Sequence, residues 1–207
     1  MSKPDLDSAY ALKSPEDSQK LYAEWAETYD ESFARASGYL LPQVVAETFV
    51  AEGGVGPVLD VGAGTGLVGE ELAKRGVALI DGTDISQEML AEAALKDCYE
   101  TLFEGDVTAT LSVDDETYSG IISAGTFTHG HVGPEAFDEL LRVAATEALF
   151  TISINAAHFA SLGFQTKLET LSSQIKDLTL SETPIYDSTR QDAHASDTAL
   201  IARFRKA

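Results

Sequence analysis

The sequence predicts an α/β domain built on a doubly wound, mostly parallel sheet of about seven strands. Helices cover both faces, an antiparallel hairpin closes one edge, and a helical cap precedes the sheet. Three observations carry this prediction. Short apolar runs alternate with segments of helical periodicity, as repeated strand–helix–strand units require. A glycine-rich turn, Gly62-Ala63-Gly64-Thr65-Gly66, joins the first such strand to its helix. The last two strand-like runs have no helix between them, which fits a hairpin rather than a crossover.

The elements follow in order. Lys13-Ser14-Pro15-Glu16-Asp17 has the marks of a helix start, with Ser14 as N-cap, Pro15 at the first position and acids in the first turn. Leu21, Trp25 and Tyr29 then recur at helical spacing and give that helix one aromatic face. A second helix is expected over 42–51, stopped by Gly53-Gly54. The first strand is placed at 57–61, and its helix runs from the glycine turn through Ala73 to end near Gly76. A second strand begins at 77–80 and continues toward Asp84, after which Ser86-Gln87-Glu88-Met89 caps a helix reaching about Lys96. Strands are expected at 99–104, 118–124 and 148–154. A helix at 134–145 separates the last two and carries Phe137, Leu140 and Leu141 as its apolar stripe. Another helix falls within 158–172, and the closing hairpin pairs 178–186 with 198–205. Residues 1–207 read as one domain, with a cap over about 1–52 and the sheet core over about 53–207.

Composition narrows the function. The 207 residues, 44% hydrophobic and 23% charged, suit one soluble domain with a full core. Thirty-four acids against 14 Lys and Arg leave a net charge of -20. Such a surface repels phosphate backbones and anionic membranes, so neither nucleic acid nor membrane is an expected partner. The lone Cys98 allows no internal disulfide, and no Cys/His spacing suggests a metal site. The first 17 residues lack the apolar core of a signal peptide, and no run is long and apolar enough for a membrane span, so a cytoplasmic location is expected.

The stretch Val58-Leu59-Asp60-Val61-Gly62-Ala63-Gly64-Thr65-Gly66-Leu67 has the layout of a nucleoside-cofactor site: strand, acid, glycine turn, helix. Asp84, roughly 20 residues on, stands at the end of the next strand, where a carboxylate meets ribose hydroxyls. Two registers compete. Gly64-Thr65-Gly66-Leu67-Val68-Gly69 fits the dinucleotide pattern G-x-G-x-x-G, and Asp60-Val61-Gly62-Ala63-Gly64-Thr65-Gly66 fits D-x-G-x-G-x-G. An acid beside the turn would repel a pyrophosphate and attract a cationic ligand, and about 50 residues precede the strand; both favour the second register.

That register and its neighbours resemble the class I S-adenosylmethionine-dependent methyltransferases, from about Leu21 to Phe204. Trp25-Ala26-Glu27-Thr28-Tyr29-Asp30 is similar to the W-A-x-x-Y-D helix of many small-molecule members. Gly82-Thr83-Asp84-Ile85-Ser86 with Glu88-Met89-Leu90 and Ala94 is similar to the G-x-D-x-S-x-x-M-L-x-x-A segment, and Gly105-Asp106-Val107 stands in place of the G-D segment. The run from Gly125-Thr126-Phe127-Thr128 to His129-Gly130-His131-Val132 resembles the methyltransferase-like subgroup named for the Williams–Beuren region.

The resemblance implies a Rossmann-like core and S-adenosylmethionine as cofactor. Asp60 and the backbone of Gly62, Ala63, Gly64 and Gly66 would hold its methionine end, and Asp84 its ribose hydroxyls. Ile85 and Met89 would cover the adenine, Asp106 would take its amino group, and Val107 would offer a backbone N–H. Tyr22 and Tyr29 would close over the methionine from the cap. Two positions depart from the family pattern: Ser119 replaces the acid that opens the fourth strand, and Ala144-Ala145-Thr146-Glu147 replaces the glycine pair before the fifth.

Methyl transfer from a sulfonium is an in-line displacement governed mainly by positioning. His129 and His131, in the loop after the fourth strand, are the candidate general bases and substrate contacts. Asn155 and His158 are secondary candidates, and His194 falls in a polar turn. The expected activity is transfer to an oxygen, nitrogen or sulfur of a small molecule. A non-catalytic methyltransferase-like module that binds a partner protein is the alternative, with an NAD-dependent oxidoreductase behind it.

Overall fold

The computed structural model describes residues 15–128 and 131–207. The expected N-cap Ser14 and the loop residues His129 and Gly130 lie outside them. Seven strands form one sheet: β1 Val58–Val61, β2 Ile80–Asp84, β3 Thr101–Glu104, β4 Tyr118–Phe127, β5 Ala144–Asn155, β6 Ile175–Pro184 and β7 Thr198–Lys206. Their order is β3-β2-β1-β4-β5-β7-β6. All pairings among the first five are parallel, and β7 runs antiparallel between β5 and the edge strand β6. The Rossmann-like fold and the closing hairpin are thus present.

Helices α1 (Pro15–Tyr29), α2 (Leu41–Ala51), α3 (Leu67–Lys74), α4 (Gln87–Ala94), α5 (Ala136–Val143), α6 (Ala156–Phe159) and α7 (Phe164–Thr170) surround the sheet. Alternation along each strand divides the core. Leu59, Val61, Ile121, Phe150 and Ile152 face α5 and α7, meeting Phe137, Leu140 and Phe164. Val58, Ile80, Ile122, Leu149 and Ile201 face the opposite side, against Trp25, Val45, Phe49 and Leu72. Phe49 is fully buried because Gly54 and Gly120 leave room for its ring, where a Cβ would come within 2.4 and 2.5 Å. None of the described helices is long and apolar enough to cross a membrane.

Several boundaries differ from the sequence prediction, each for a physical reason. The expected cap divides in two: α2 is a sheet-packing helix, with Val45, Ala46 and Phe49 fully buried, while α1 packs beside α4. A π-helical segment, Asp30–Arg35, extends α1 and buries Phe33 and Ala34. Strand β3 begins at Thr101 instead of residue 99, because Tyr99 turns inward to bond Asp60 and Gly69. Strand β5 begins at Ala144, four residues early, through pairing of Ala144 with Tyr118. Strand β6 starts at Ile175 and absorbs an irregularity between Lys176 and Thr179, where Asp177 has φ +57°.

Candidate functional site

A cavity of about 1040 Å³, counted out to its open mouth, lies over the carboxyl ends of β1 to β4. There the chain passes from β1 to β2 on one side and later to β4 on the other, the switch point at which open α/β sheets bind ligands. The glycine turn forms its floor, with Gly62 and Gly64 at φ +66° and +53°. A Cβ on Gly62 would stand 2.1 Å from Thr126 Oγ1, so this glycine serves packing. A Cβ on Gly64 would meet no protein atom within 4 Å, so this one leaves approach to a ligand. Ala63 lines the cavity as well, whereas Gly66 is absent from its walls and packs on Tyr99 and Ala93 as the N-cap of α3.

Asp84 forms one wall. Its Oδ2 accepts from the Gly64 N–H at 2.9 Å and its Oδ1 from the Ser86 N–H at 3.0 Å. Burial raises its pKa, and the backbone N–H groups oppose that shift. Each carboxylate oxygen keeps lone-pair capacity beyond these bonds. Ser86 caps α4 by accepting from the Met89 N–H at 3.2 Å, which orients Ile85 and Met89 as apolar wall. Asp106 and Val107 complete that side, with Asp106 Oδ1 accepting from the Thr108 N–H at 2.8 Å.

The roof is α1. Tyr22 and Tyr29 line the cavity, and the Tyr22 hydroxyl is 3.0 Å from His131 Nε2. Gln19 donates to the Ile85 carbonyl at 2.8 Å. Asp30 accepts from Thr65 Oγ1 at 2.5 Å and pairs with Lys96 at 2.6 Å, tying the roof to both the glycine turn and α4.

Asp60, expected to hold the methionine end, does not line the cavity with its side chain. It shares a strand face with Val58, so it projects beneath the turn into the helix-packed side and is fully buried. Tyr99 donates to its Oδ2 at 2.7 Å, and the Tyr99 oxygen accepts from the Gly69 N–H at 3.2 Å. Among the described residues Oδ1 has no hydrogen-bond partner. Burial pushes the Asp60 pKa up to about 7, against the lowering effect of the Tyr99 bond.

A second chamber of about 590 Å³, likewise counted out to its open mouth, adjoins the first and shares Tyr22, Tyr29, Tyr39, Gly125 and His131 with it. Phe33, Thr128, Ser153, Asn155 and Tyr186 extend its walls. It exists because β4 is irregular between Ser123 and Phe127, where Gly125 at φ +83° lets the strand swing aside. Tyr39 approaches so closely that its hydroxyl lies 2.3 Å from where a Gly125 Cβ would be. Asn155 also caps α6, accepting from the Ala157 N–H at 3.0 Å. His158 lies in α6 outside both linings, and His194 sits 2.9 Å from Asp197.

Residues that the sequence reading left without a role are Asp30, Lys96, Tyr39, Tyr99, Thr126 and Tyr186. Asp30 had a signal, because it closes the W-A-x-x-Y-D run. Tyr39 and Tyr186 had none: they meet through an isolated antiparallel bridge across 147 positions of chain.

Comparison with known proteins agrees with this fold. Residues 58–147 match a family described as a methyltransferase domain. Human methyltransferase-like protein 27 is 31% identical over 134 residues, covering 61% of this chain and 54% of its own, so this chain spans about half the length of that relative. A TehB-like SAM-dependent methyltransferase from Corynebacterium glutamicum superposes with a TM-score of 0.63 at 21% identity, covering 91% of this chain and all of its own. A SAM-dependent methyltransferase from Thermotoga maritima gives 0.64 at 12% identity, with 91% and 99% covered.

Proposed function

We propose that the chain is a class I S-adenosylmethionine-dependent methyltransferase and that it methylates a small molecule held in the chamber beside the glycine turn. The observation that carries this reading is the shared wall: Tyr22, Tyr29, Tyr39, Gly125 and His131 face both cavities. A donor in the first cavity and an acceptor in the second would meet there under the roof of α1.

The residues present suit the cofactor. Gly64 leaves its backbone open to close approach, Asp84 offers carboxylate oxygens to a ribose, and Ile85 with Met89 supplies an apolar cover for a base. Bound there, the cofactor supplies a methyl group on a sulfonium whose departure leaves a neutral thioether. Asp106 and Val107 would hold the far end of the base, and Tyr22 and Tyr29 would exclude water above the methyl group. Asp60 would act from below by fixing the turn through Tyr99 and Gly69. His131 would take a proton from the acceptor where one has to leave, with Tyr22 orienting its ring. The small size of the chamber and the net charge of -20 both support a small molecule over nucleic acid as the acceptor.

Calorimetric titration with S-adenosylmethionine, S-adenosylhomocysteine and NAD tests the reading. Binding of the first two and silence from the third is expected. Binding of NAD alone would overturn it.

A further inference from the structure

We infer that the second chamber selects a small amine, received as its ammonium cation on aromatic faces; this rests on the reading of the adjoining cavity as the donor site. The walls are a continuous run of rings. Tyr29 and Phe33 have centroids 4.9 Å apart, Phe33 and Tyr39 5.4 Å, Phe33 and Tyr186 6.3 Å, and Tyr22 and Tyr29 6.1 Å. Ring faces carry the negative end of the aromatic quadrupole and attract cations.

Charge placement points the same way. Among the described residues that line the chamber there is no Lys, Arg, Asp or Glu. An anionic guest would find no counter-charge and would face repulsion from the rings, whereas an ammonium, with no carboxylate in the lining either, has the ring faces as its partners. A cation gains from the rings, from Asp84 in the adjoining cavity, and from the field of the chain as a whole, in which acids outnumber Lys and Arg by 34 to 14. Burial holds the phenols of Tyr22, Tyr29 and Tyr39 well above their ordinary pKa, so the rings offer neutral hydroxyls and no phenolate. One ring of the set already carries a cation: the Arg190 guanidinium lies 4.2 Å from the Tyr186 centroid, its charge balanced by Asp192.

The chemistry closes without a further reagent. The ammonium gives a proton to His131, and the freed nitrogen pair forms the N–C bond. The C–S bond breaks as that happens, and its electron pair leaves on the neutral thioether.

Three probes of one shape decide the matter: 2-phenylethylamine, 2-phenylethanol and phenylacetate, titrated calorimetrically with S-adenosylhomocysteine present. The amine is expected to bind at least about ten-fold more tightly than the alcohol, with the acid silent. Tyr39→Phe should keep that preference, because the ring face remains, and Tyr39→Leu should reduce it about ten-fold. If Tyr39→Leu does not fold, the probe series and Tyr39→Phe still decide. Equal binding of amine and alcohol, tighter binding of the acid, or silence from all three would overturn the inference. Failure of S-adenosylhomocysteine to bind would strike the donor-site reading instead, and the probe series would then be read without it.

Discussion

Replacing Asp60 with asparagine should stabilise the protein above neutrality and change little at or below about pH 4. In the unfolded chain this carboxyl titrates near its ordinary 3.8, and in the folded protein burial moves it up to about 7. Between those values the folded form keeps a proton that the unfolded form has released. Stability from this group therefore falls as pH rises from about 4 to about 7 and is level beyond. The interval from 3.8 to about 7, at about 1.4 kcal/mol per pH unit, amounts to about 4 kcal/mol. Asparagine has the same shape, can accept from Tyr99, and carries no charge to bury. For a domain of this size the gain corresponds to about 8–16 °C in Tm at pH 8. Thermal melts of both proteins from pH 4 to 8.5, followed by circular dichroism, provide the assay. The Asp60 protein should lose Tm as pH rises, the variant should lose less, and the two curves should converge as pH falls toward about 4. Asp84, whose pKa is also raised by burial, contributes with the same sign to both proteins, and its repulsion of the Asp60 charge is part of the difference. Parallel curves, or a variant less stable at pH 8, would refute the reasoning.

Other substitutions separate binding from folding. Asp84→Ala removes a charge-assisted contact and should weaken S-adenosylhomocysteine by about 1.5–3 kcal/mol, roughly ten- to hundred-fold, by calorimetry. Gly64→Ala should cost only about 1–2 kcal/mol of stability for its left-handed backbone, yet reduce ligand affinity more than about ten-fold, because the methyl group enters open cavity. Gly62→Ala should show the reverse emphasis in the same two assays, since its methyl group collides with Thr126. Thr65→Val deletes the bond to Asp30 at a cost of about 1 kcal/mol; hydrogen exchange should quicken across 15–35 while β1 stays protected.

Much of this architecture was legible because it is written in local pattern. The strand–glycine–helix unit, the Ser86 cap and the final hairpin each depend on neighbouring residues, and the alternation of Leu59 and Val61 against Val58 marks two buried faces. What escaped was set by contacts distant in sequence. Tyr99 reads as a strand residue by propensity, but its hydroxyl satisfies both the buried Asp60 and the Gly69 amide, a demand visible only once β1 and α3 are in place. Asp60 was expected to face the ligand because its charge suits a cation. The two-residue period of β1 instead turns it into the helix-packed face, where desolvation governs it. The second chamber was illegible for the same reason, as its walls come from α1, the π-helical segment, β4 and the segment before β7.

The roof helix links the two cavities energetically. Its polar ties run to the first cavity: Gln19 to the Ile85 carbonyl, Asp30 to Thr65 and Lys96, and Tyr22 to His131. Its aromatic face supplies Tyr22 and Tyr29 to the second chamber as well. These ties are partly solvated, so each contributes about 0.5–1.5 kcal/mol and together only a few. The deeper anchors, Trp25 at 2% and Phe33 at 8% exposure, lie toward the π-helical end. Releasing the Gln19 end would break an exposed hydrogen bond, whereas releasing the Phe33 end would expose buried rings. A ligand under the roof that holds α1 down would complete the tyrosine walls of the second chamber at the same time. Loss of the Thr65 tie should accordingly weaken an amine probe in that chamber, although Thr65 is absent from its lining.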